Sequence, residues 1–442
     1  VGTRERGSEY SHPRFLASSL YALCPSMPKL LQYGAGNIGR SLVGQLFSRA
    51  GYEVVFVDVD RTIIDALNRE KKYLIQVKDE HPEEIWVKNV RGVYGHNREA
   101  VIREIATADI MATAVGPNAL PHIYEIIAEG IKRREKPLDI IICENLRHMS
   151  RIFRDSLLSY LPEGFPLDDR VGLIETSIGK MVPIMPEEVR NRDPLLVWAE
   201  AYNILYVAKS GFIGDVPDVD GMIARANFDA YVDQKLFIHN LGHAVTAYLG
   251  YLVDPDNIYI WKAIKDEAVR EITEAAMWES GRALIREYPD EFNKSNQKDH
   301  IDDLIRRFGN AYLGDTIYRV GRDLPRKLGF NERLIGAARL DIKHGIKPRY
   351  TALGAAAAFF FRAVDENGQP FENDRRFAEE LQRHGLNHIL KNVCGLDPEE
   401  HGELVTLIEH SYRLLVAWDR NVTQLGRLFC SAYHQSKDLS WH

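Results

Sequence analysis

The sequence predicts an α/β unit built on a mainly parallel sheet, followed by a mostly α-helical unit. Three observations carry this expectation. A short apolar run, Lys29 to Tyr33, leads directly into a glycine-rich turn and then a helical pattern. Further extended runs, Glu53–Asp58, Asp109–Val115, Leu138–Cys143 and Arg170–Ile174, alternate with helical patterns, the order that βα crossovers and a parallel sheet require. From Ala230 onward apolar residues recur at the helical period. A chain of 442 residues is long enough for two cores of this kind.

The first run ends in Gly34-Ala35-Gly36-Asn37-Ile38-Gly39-Arg40, and Leu42, Leu46 and Phe47 then fall on one helical face. Each glycine has a physical task in a dinucleotide-binding turn of the Rossmann type. Gly34 permits the tight turn, Gly36 lets the backbone approach a pyrophosphate, and Gly39 lets the helix pack closely on the sheet. The unpaired N–H groups of the helix N-terminus, with Asn37 and Ile38, would face the phosphates. Asp58 closes the second run, 19 residues after Gly39. There it can accept hydrogen bonds from the adenosine ribose and repel a 2′-phosphate, which favours NAD over NADP. Arg61 keeps an NADP reading open, and Asp58 as a plain helix cap is the bland alternative.

The next two runs lead into Gly116-Pro-Asn118 and Glu144-Asn145. Ligands of open parallel sheets bind beyond the carboxyl ends of the strands, so Gly116, Asn118 and Asn145 are candidates to line the cofactor or the reacting centre; ordinary turn roles are the alternative. The fifth run leads into Glu175-Thr-Ser-Ile-Gly179-Lys180, and one more extended stretch lies near Leu195 to Ala201. Helical segments are expected over Tyr231–Tyr248, Ile258–Glu287, His300–Phe308 and Arg376–Val393. The expected division is 28–200 for the dinucleotide unit, 201–412 for the helical unit and 413–442 for a C-terminal extension.

Composition narrows the function classes. Hydrophobic residues make up 45% and charged residues 27%, as in an ordinary globular protein. A net charge of −7 argues against a nucleic-acid surface, while leaving room for a local basic pocket. Cys24, Cys143, Cys394 and Cys430 form no pair with metal-ligand spacing, so neither a structural zinc nor a disulfide scaffold is expected. No apolar run approaches the roughly 20 residues of a membrane span, and a cytoplasmic location is the expectation. Residues 1–27, with Arg4, Arg6 and Arg14 ahead of an apolar Phe15–Cys24, read as an extension outside the fold, with a poor targeting peptide as the alternative.

One stretch in the helical half stands out. Lys235-Leu-Phe-Ile-His-Asn240-Leu-Gly-His243 places Lys235, Asn240 and His243 within an arc of about 140° if the helix turns by about 100° per residue. Alone, this is either a solvated face or an amine, an amide and an imidazole looking into one cleft.

The glycine turn with Asp58, then Glu144-Asn145, then Lys235-x4-Asn240-x2-His243-Ala-Val-Thr-Ala-Tyr-Leu-Gly250 resembles the polyol-specific long-chain dehydrogenases of the mannitol dehydrogenase family. The similarity runs from about Lys29 to about Tyr412 and includes Glu279-Ser-Gly281, Asn310-Ala-Tyr-Leu-Gly-Asp315 and Arg319-Val-Gly-Arg322-x3-Arg326-Lys327-Leu328. The resemblance implies a metal-independent oxidoreductase that interconverts D-mannitol 1-phosphate and D-fructose 6-phosphate with NAD. Lys235 would be the general acid/base, Asn145 and Asn240 the amides holding the alkoxide oxygen, and His243 the residue orienting substrate. A free lysine, pKa about 10.4, is a poor base at neutral pH, and burial near a cationic nicotinamide would lower it. Arg319, Arg322, Arg326 and Lys327, with His344 and Lys347 as weaker additions, are the cations available for a phosphate. A solvated basic face is the alternative for that cluster. The pattern departs from the family at Gly179 and Lys180, where an acid and an arginine are usual. Competing functions are the same chemistry on an unphosphorylated polyol or a sugar acid of the fructuronate or tagaturonate type, and an NAD-binding regulator without catalysis. The sequence leaves the choice between monomer and dimer open.

Overall fold

The computed structural model describes residues 27–418, apart from 145, 146 and 184. Eleven strands lie in its first half: β1 Lys29–Tyr33, β2 Glu53–Asp58, β3 Lys72–Val77, β4 Glu83–Lys88, β5 Val90–Tyr94, β6 Ile110–Thr113, β7 Leu138–Ile142, β8 Val171–Ile178, β9 Val197–Ala199, β10 Leu205–Ala208 and β11 Met222–Arg225. Eight form one sheet in the order β11-β10-β8-β7-β6-β1-β2-β5, in which only the β8–β10 pairing is antiparallel. A three-stranded sheet, β4-β3-β9, stands beside it.

The strands at the centre are apolar on both faces, as a covered parallel sheet demands. Leu30, Val54 and Phe56 pack on one side with Leu42, Val43, Leu46 and Phe47 of the first helix. Leu31, Val55 and Val57 point the other way, onto Val101, Ile102, Ile105 and Phe153 of the helices behind. Each such side chain, fully buried, contributes about 1.5–3 kcal/mol relative to exposure. Strand order reverses at β1, with β2 on one flank and β6 on the other, and this is the switch point where an open α/β sheet leaves a crevice at its carboxyl edge.

From residue 228 the chain is helical, around a single apolar core. At its centre lies a continuous helix over 228–253, in which Phe228–Gln234 is α-helical, Lys235–Asn240 makes a wider π-helical turn, and Leu241–Val253 returns to α. Leu241, Gly242 and every residue from Ala244 to Gly250 are buried, the mark of a helix packed on all sides. Among the described residues no helix is long and apolar enough to cross a membrane, and no group of three or more His, Cys, Asp or Glu is placed to hold a metal ion.

Several elements differ from the sequence reading. The segment 72–94 carries three strands that the sequence leaves unassigned; β4 is Glu-Glu-Ile-Trp-Val-Lys with four exposed positions, so its pattern of apolar residues is too weak to announce a strand. The large sheet continues through β10 and β11, past the boundary expected at residue 200. The long helix expected over 258–287 is two, Ile260–Ala263 and Glu267–Glu287, because Asp266 takes an extended conformation and caps the second by accepting from Val269 N at 3.0 Å. Gly385, at φ +80°, divides the expected 376–393 helix into Glu372–His384 and Leu386–Asn392. The expectations for residues 1–26, for residues 419–442 and for Asn145 lie outside the described residues.

Candidate active site

The glycine turn is held by backbone geometry that other residues cannot reproduce. Gly34 sits at φ +96°, and a Cβ there would lie 2.4 Å from Ala114 O. At Gly39 a Cβ would lie 2.2 Å from Gly34 O, so the helix can approach the turn this closely only without a side chain. A Cβ on Gly36, by contrast, would meet nothing within 4 Å. Gly36 and Asn37 are exposed, Ile38 partly so, and together they open the N-terminus of the helix over 37–49 to the crevice. That is the cradle a pyrophosphate requires.

Asp58 does not cap the helix that follows it. Asp60 does so, accepting from Thr62 N at 2.9 Å and Ile63 N at 3.3 Å. Asp58 instead accepts from Ala35 N at 2.6 Å and from Asp60 N at 2.9 Å, fixing the second strand's end against the glycine turn. It remains partly exposed there, beside the crevice. The Arg61 guanidinium lies over the Tyr94 ring, 5.1 Å from its centroid. Two braces were not legible in the sequence. Buried Arg40 donates to Ala35 O at 2.7 Å and to Pro194 O and Leu195 O at 3.0 and 2.9 Å, tying the turn to a segment far along the chain. Buried Glu144 accepts from Val115 N at 2.9 Å and Gly116 N at 3.0 Å and so shapes the edge after β6. Burial pushes its carboxyl up, against the pull of those two N–H groups. Gly116 has φ +83° and open space at its Cβ position, and Asn118 is exposed in the turn just beyond it.

In the helical half, Lys235 and Asn240 are the first and last residues of the π-turn. On an α-helix, positions five apart diverge by about 140°. The i→i+5 bonding of a π-turn brings them toward the same face, and such turns recur at functional sites. Lys235 is partly buried, and its amine is pushed down to about 8, first by burial and then by the charge of Arg333, with Glu332 opposing and Arg326 adding. His243 follows on the α-helical continuation, stacked on Phe308 with centroids 4.8 Å apart and planes at 7°. Its Nε2 lies 3.5 Å from the buried Asp315 carboxylate. Burial, followed by the charges of Arg319, Lys327 and Arg333, holds its pKa well below the usual value. A neutral imidazole can both donate and accept a hydrogen bond, which suits a hydroxyl.

The basic residues expected to meet a phosphate are distributed unevenly. Arg319 ion-pairs with Asp315, and Arg326 with Asp323 at 2.6 Å, and both guanidinium groups keep substantial exposure. Lys327 is buried, donates to Val320 O, and is held well below its ordinary pKa by burial and then by Arg333 and Arg326. Arg322 stands over the Tyr318 and Phe371 rings, each 5.5 Å away. His344 is engaged by Glu287 at 2.5 Å, on a carboxylate that Lys343 shares at 2.6 Å. Arg333, unremarked in the sequence because it adjoins Glu332, belongs to the cluster. Its side chain is only 14% exposed, its ion pair is with Glu332 at 3.2 Å, and its charge acts on Lys235, His243 and Lys327 alike. At the departure noted above, the Lys180 amine is bound by Tyr202 O at 2.9 Å and Asn203 Oδ1 at 3.1 Å, and Gly179 O accepts from Arg307 Nη2 at 2.5 Å. Burial pushes the Lys180 amine down to about 8, and Arg307 is locked onto Glu200 at 2.6 Å.

A Rossmann-type glycine turn in one half and a helix carrying lysine, asparagine and histidine in the other fit a polyol dehydrogenase, and comparison with known proteins agrees. Residues 28–221 match the mannitol dehydrogenase Rossmann domain and residues 227–413 the mannitol dehydrogenase C-terminal domain. The chain therefore belongs to the mannitol dehydrogenase family of oxidoreductases. It is 36% identical over 372 residues to the mannitol-1-phosphate 5-dehydrogenase of Halalkalibacterium halodurans, covering 83% of this chain and 96% of that one. To the mannitol-1-phosphate 5-dehydrogenase of Brevibacillus brevis it is 34% identical over 394 residues, covering 88% and 98%. Its fold superposes on Pseudomonas fluorescens mannitol 2-dehydrogenase, solved as a ternary complex with NAD and D-mannitol, with a TM-score of 0.70, 17% identity and coverage of 93% and 96%. A D-sorbitol dehydrogenase in substrate-free form gives a TM-score of 0.74 at 16% identity, covering 90% and 95%.

Proposed function

We propose that this enzyme interconverts D-mannitol 1-phosphate and D-fructose 6-phosphate with NAD, using Lys235 as general acid/base. The observation that carries this reading is that Asp315, 3.5 Å from His243 Nε2, also pairs with Arg319, while Arg333 and Arg326 lie near enough to Lys235 for their charges to push its amine down. A phosphate monoester brings between one and two negative charges near neutrality, and Arg319 and Arg326, whose guanidinium groups keep substantial exposure beside their acid partners, are suited to meet it. Two curated relatives with the same activity in their names support the phosphorylated substrate. For the cofactor, Gly34, Gly36, Asn37, Ile38 and Gly39 would meet the pyrophosphate, Asp58 the adenosine ribose, and Gly116 and Asn118 the edge near the nicotinamide.

Nicotinamide, when bound, supplies the acceptor for the hydride that leaves the carbinol carbon. In oxidation the neutral Lys235 amine takes the hydroxyl proton, and in reduction the ammonium returns it. At about 8 the amine is neutral in about one-tenth of molecules at pH 7, whereas an ordinary lysine, near 10.4, would be neutral in well under about one in a thousand. Asn240, with Asn145, would stabilise the alkoxide as charge develops on oxygen, and His243 would fix a neighbouring hydroxyl.

Turnover of D-mannitol 1-phosphate, D-mannitol and D-mannonate, each with NAD and with NADP, tests the proposal. Preference for the phosphate ester with NAD is the expected result. Activity confined to mannitol or mannonate overturns the substrate, and preference for NADP overturns the role given to Asp58.

A further inference from the structure

Lys235 comes from the helical half, while a dinucleotide in the crevice would be held by the sheet, so the reaction depends on how these halves are registered. Arg147 bridges them. It follows β7, on the approach to the helix Met149–Leu158 of the first half. Its Nη2 is ion-paired with Oδ1 of Asp233, whose side chain is only 14% exposed, and its guanidinium lies 5.5 Å over the Phe237 ring. Asp233 and Phe237 stand two residues before and two residues after Lys235. The other Asp233 oxygen accepts from Tyr288 OH at 2.6 Å, so the acid is anchored within the helical half independently of Arg147. Phe237 is buried, and Gly336 approaches so closely that a Cβ there would meet the Phe237 ring at 2.9 Å, which leaves that ring little freedom to shift.

We propose that Arg147 is a positioning residue that clasps the helix on both sides of Lys235, at Asp233 and Phe237, and sets the distance of its amine from the dinucleotide half. This inference rests on Lys235 being the base. One guanidinium suits the task because it can pair with a carboxylate through its edge while presenting its face to an aromatic ring, which an ammonium cannot do. Arg147 is 37% exposed at the rim of a cavity of about 770 Å³ that Asn331 and Arg339 also line. Direct capture of a substrate anion is therefore the alternative that the test has to separate.

Steady-state kinetics of Arg147→Ala, Arg147→Lys, Asp233→Asn and the double variant Arg147→Ala/Asp233→Asn, with NADH binding and melting temperature measured alongside, make that separation. The clasp predicts that Arg147→Ala lowers kcat by about 10- to 100-fold, the order of effect of a small misplacement of a reacting group. KM for the polyol and Kd for NADH should stay within about twofold, and Arg147→Lys should recover part of kcat. The double variant should be no worse than the poorer single one, since both remove the same contact. A wild-type kcat in a folded Arg147→Ala, a loss confined to KM for a phosphorylated substrate, or additive losses in the double variant would each overturn the clasp. A wild-type enzyme with no polyol turnover would instead refute the catalytic reading itself.

Discussion

The two walls of the proposed site are built from different materials. The dinucleotide wall is backbone: a turn at Gly34 to Gly39 whose shape follows from missing side chains, closed by short bonds to Asp58 and from Arg40, with Glu144 holding the neighbouring edge at Gly116. The substrate wall is long charged side chains on a π-turn and on the segment 315–333, where Arg319, Arg326 and Arg333 each pair with an acid. Backbone fixes geometry locally, whereas a cationic cluster depends on residues brought from several elements. The first wall can therefore be broken by adding one carbon atom and the second by removing one charge.

The largest effect should come from Lys235→Ala. General acid/base catalysis is worth about 10²–10⁴-fold, so kcat should fall by about a thousandfold while NADH binds as before; a fall below tenfold would count against the assigned base. Next comes the contrast between two glycines of one turn. Gly39→Ala forces a Cβ to within 2.2 Å of Gly34 O, and overpacking of this kind costs about 1–3 kcal/mol, visible as a lower melting temperature even without cofactor. Gly36→Ala has open space, so its stability without cofactor should be unchanged while NADH binding weakens. If calorimetry and titration show the two alanine variants behaving alike, the close-packing and cradle roles have not been separated correctly.

A smaller effect is expected on the other wall. Replacing Arg333 by leucine removes a charge-assisted contact worth about 1.5–3 kcal/mol, so KM for the phosphorylated polyol should rise by roughly 10- to 100-fold, with little change for an unphosphorylated one. Because the Arg333 charge pushes the Lys235 amine down, its removal should also move the pH profile of oxidation upward. An unchanged profile would place Arg333 too far from Lys235 to matter.

The same contrast explains what could be read from the sequence. β1, β2 and the glycine turn were legible because apolar runs and glycines are local signals whose meaning is set within about ten residues. So was the existence of the helix over 228–253, but not its π-turn, since a hydrophobic period does not reveal one wider turn. Strands β3 to β5 were lost because β4 is charged and exposed. Arg333 and Glu144 were missed for another reason: each has a role assigned by a partner distant in sequence or by a neighbour that seems to neutralise it. The Lys327 amine shows the converse, a cation conspicuous in the sequence that the fold buries on the Val320 carbonyl.

Lys235, pushed down to about 8, is the group proposed to exchange the substrate proton. The most direct measurement is kcat/KM against pH in both directions, for the wild type and for Lys235→Ala. Oxidation requires the neutral amine and should rise as pH passes through about 8; reduction requires the ammonium and should fall over the same interval. In Lys235→Ala both limbs should vanish from the residual rate. Wild-type profiles flat through this interval, or limbs that survive the loss of Lys235, would contradict the account.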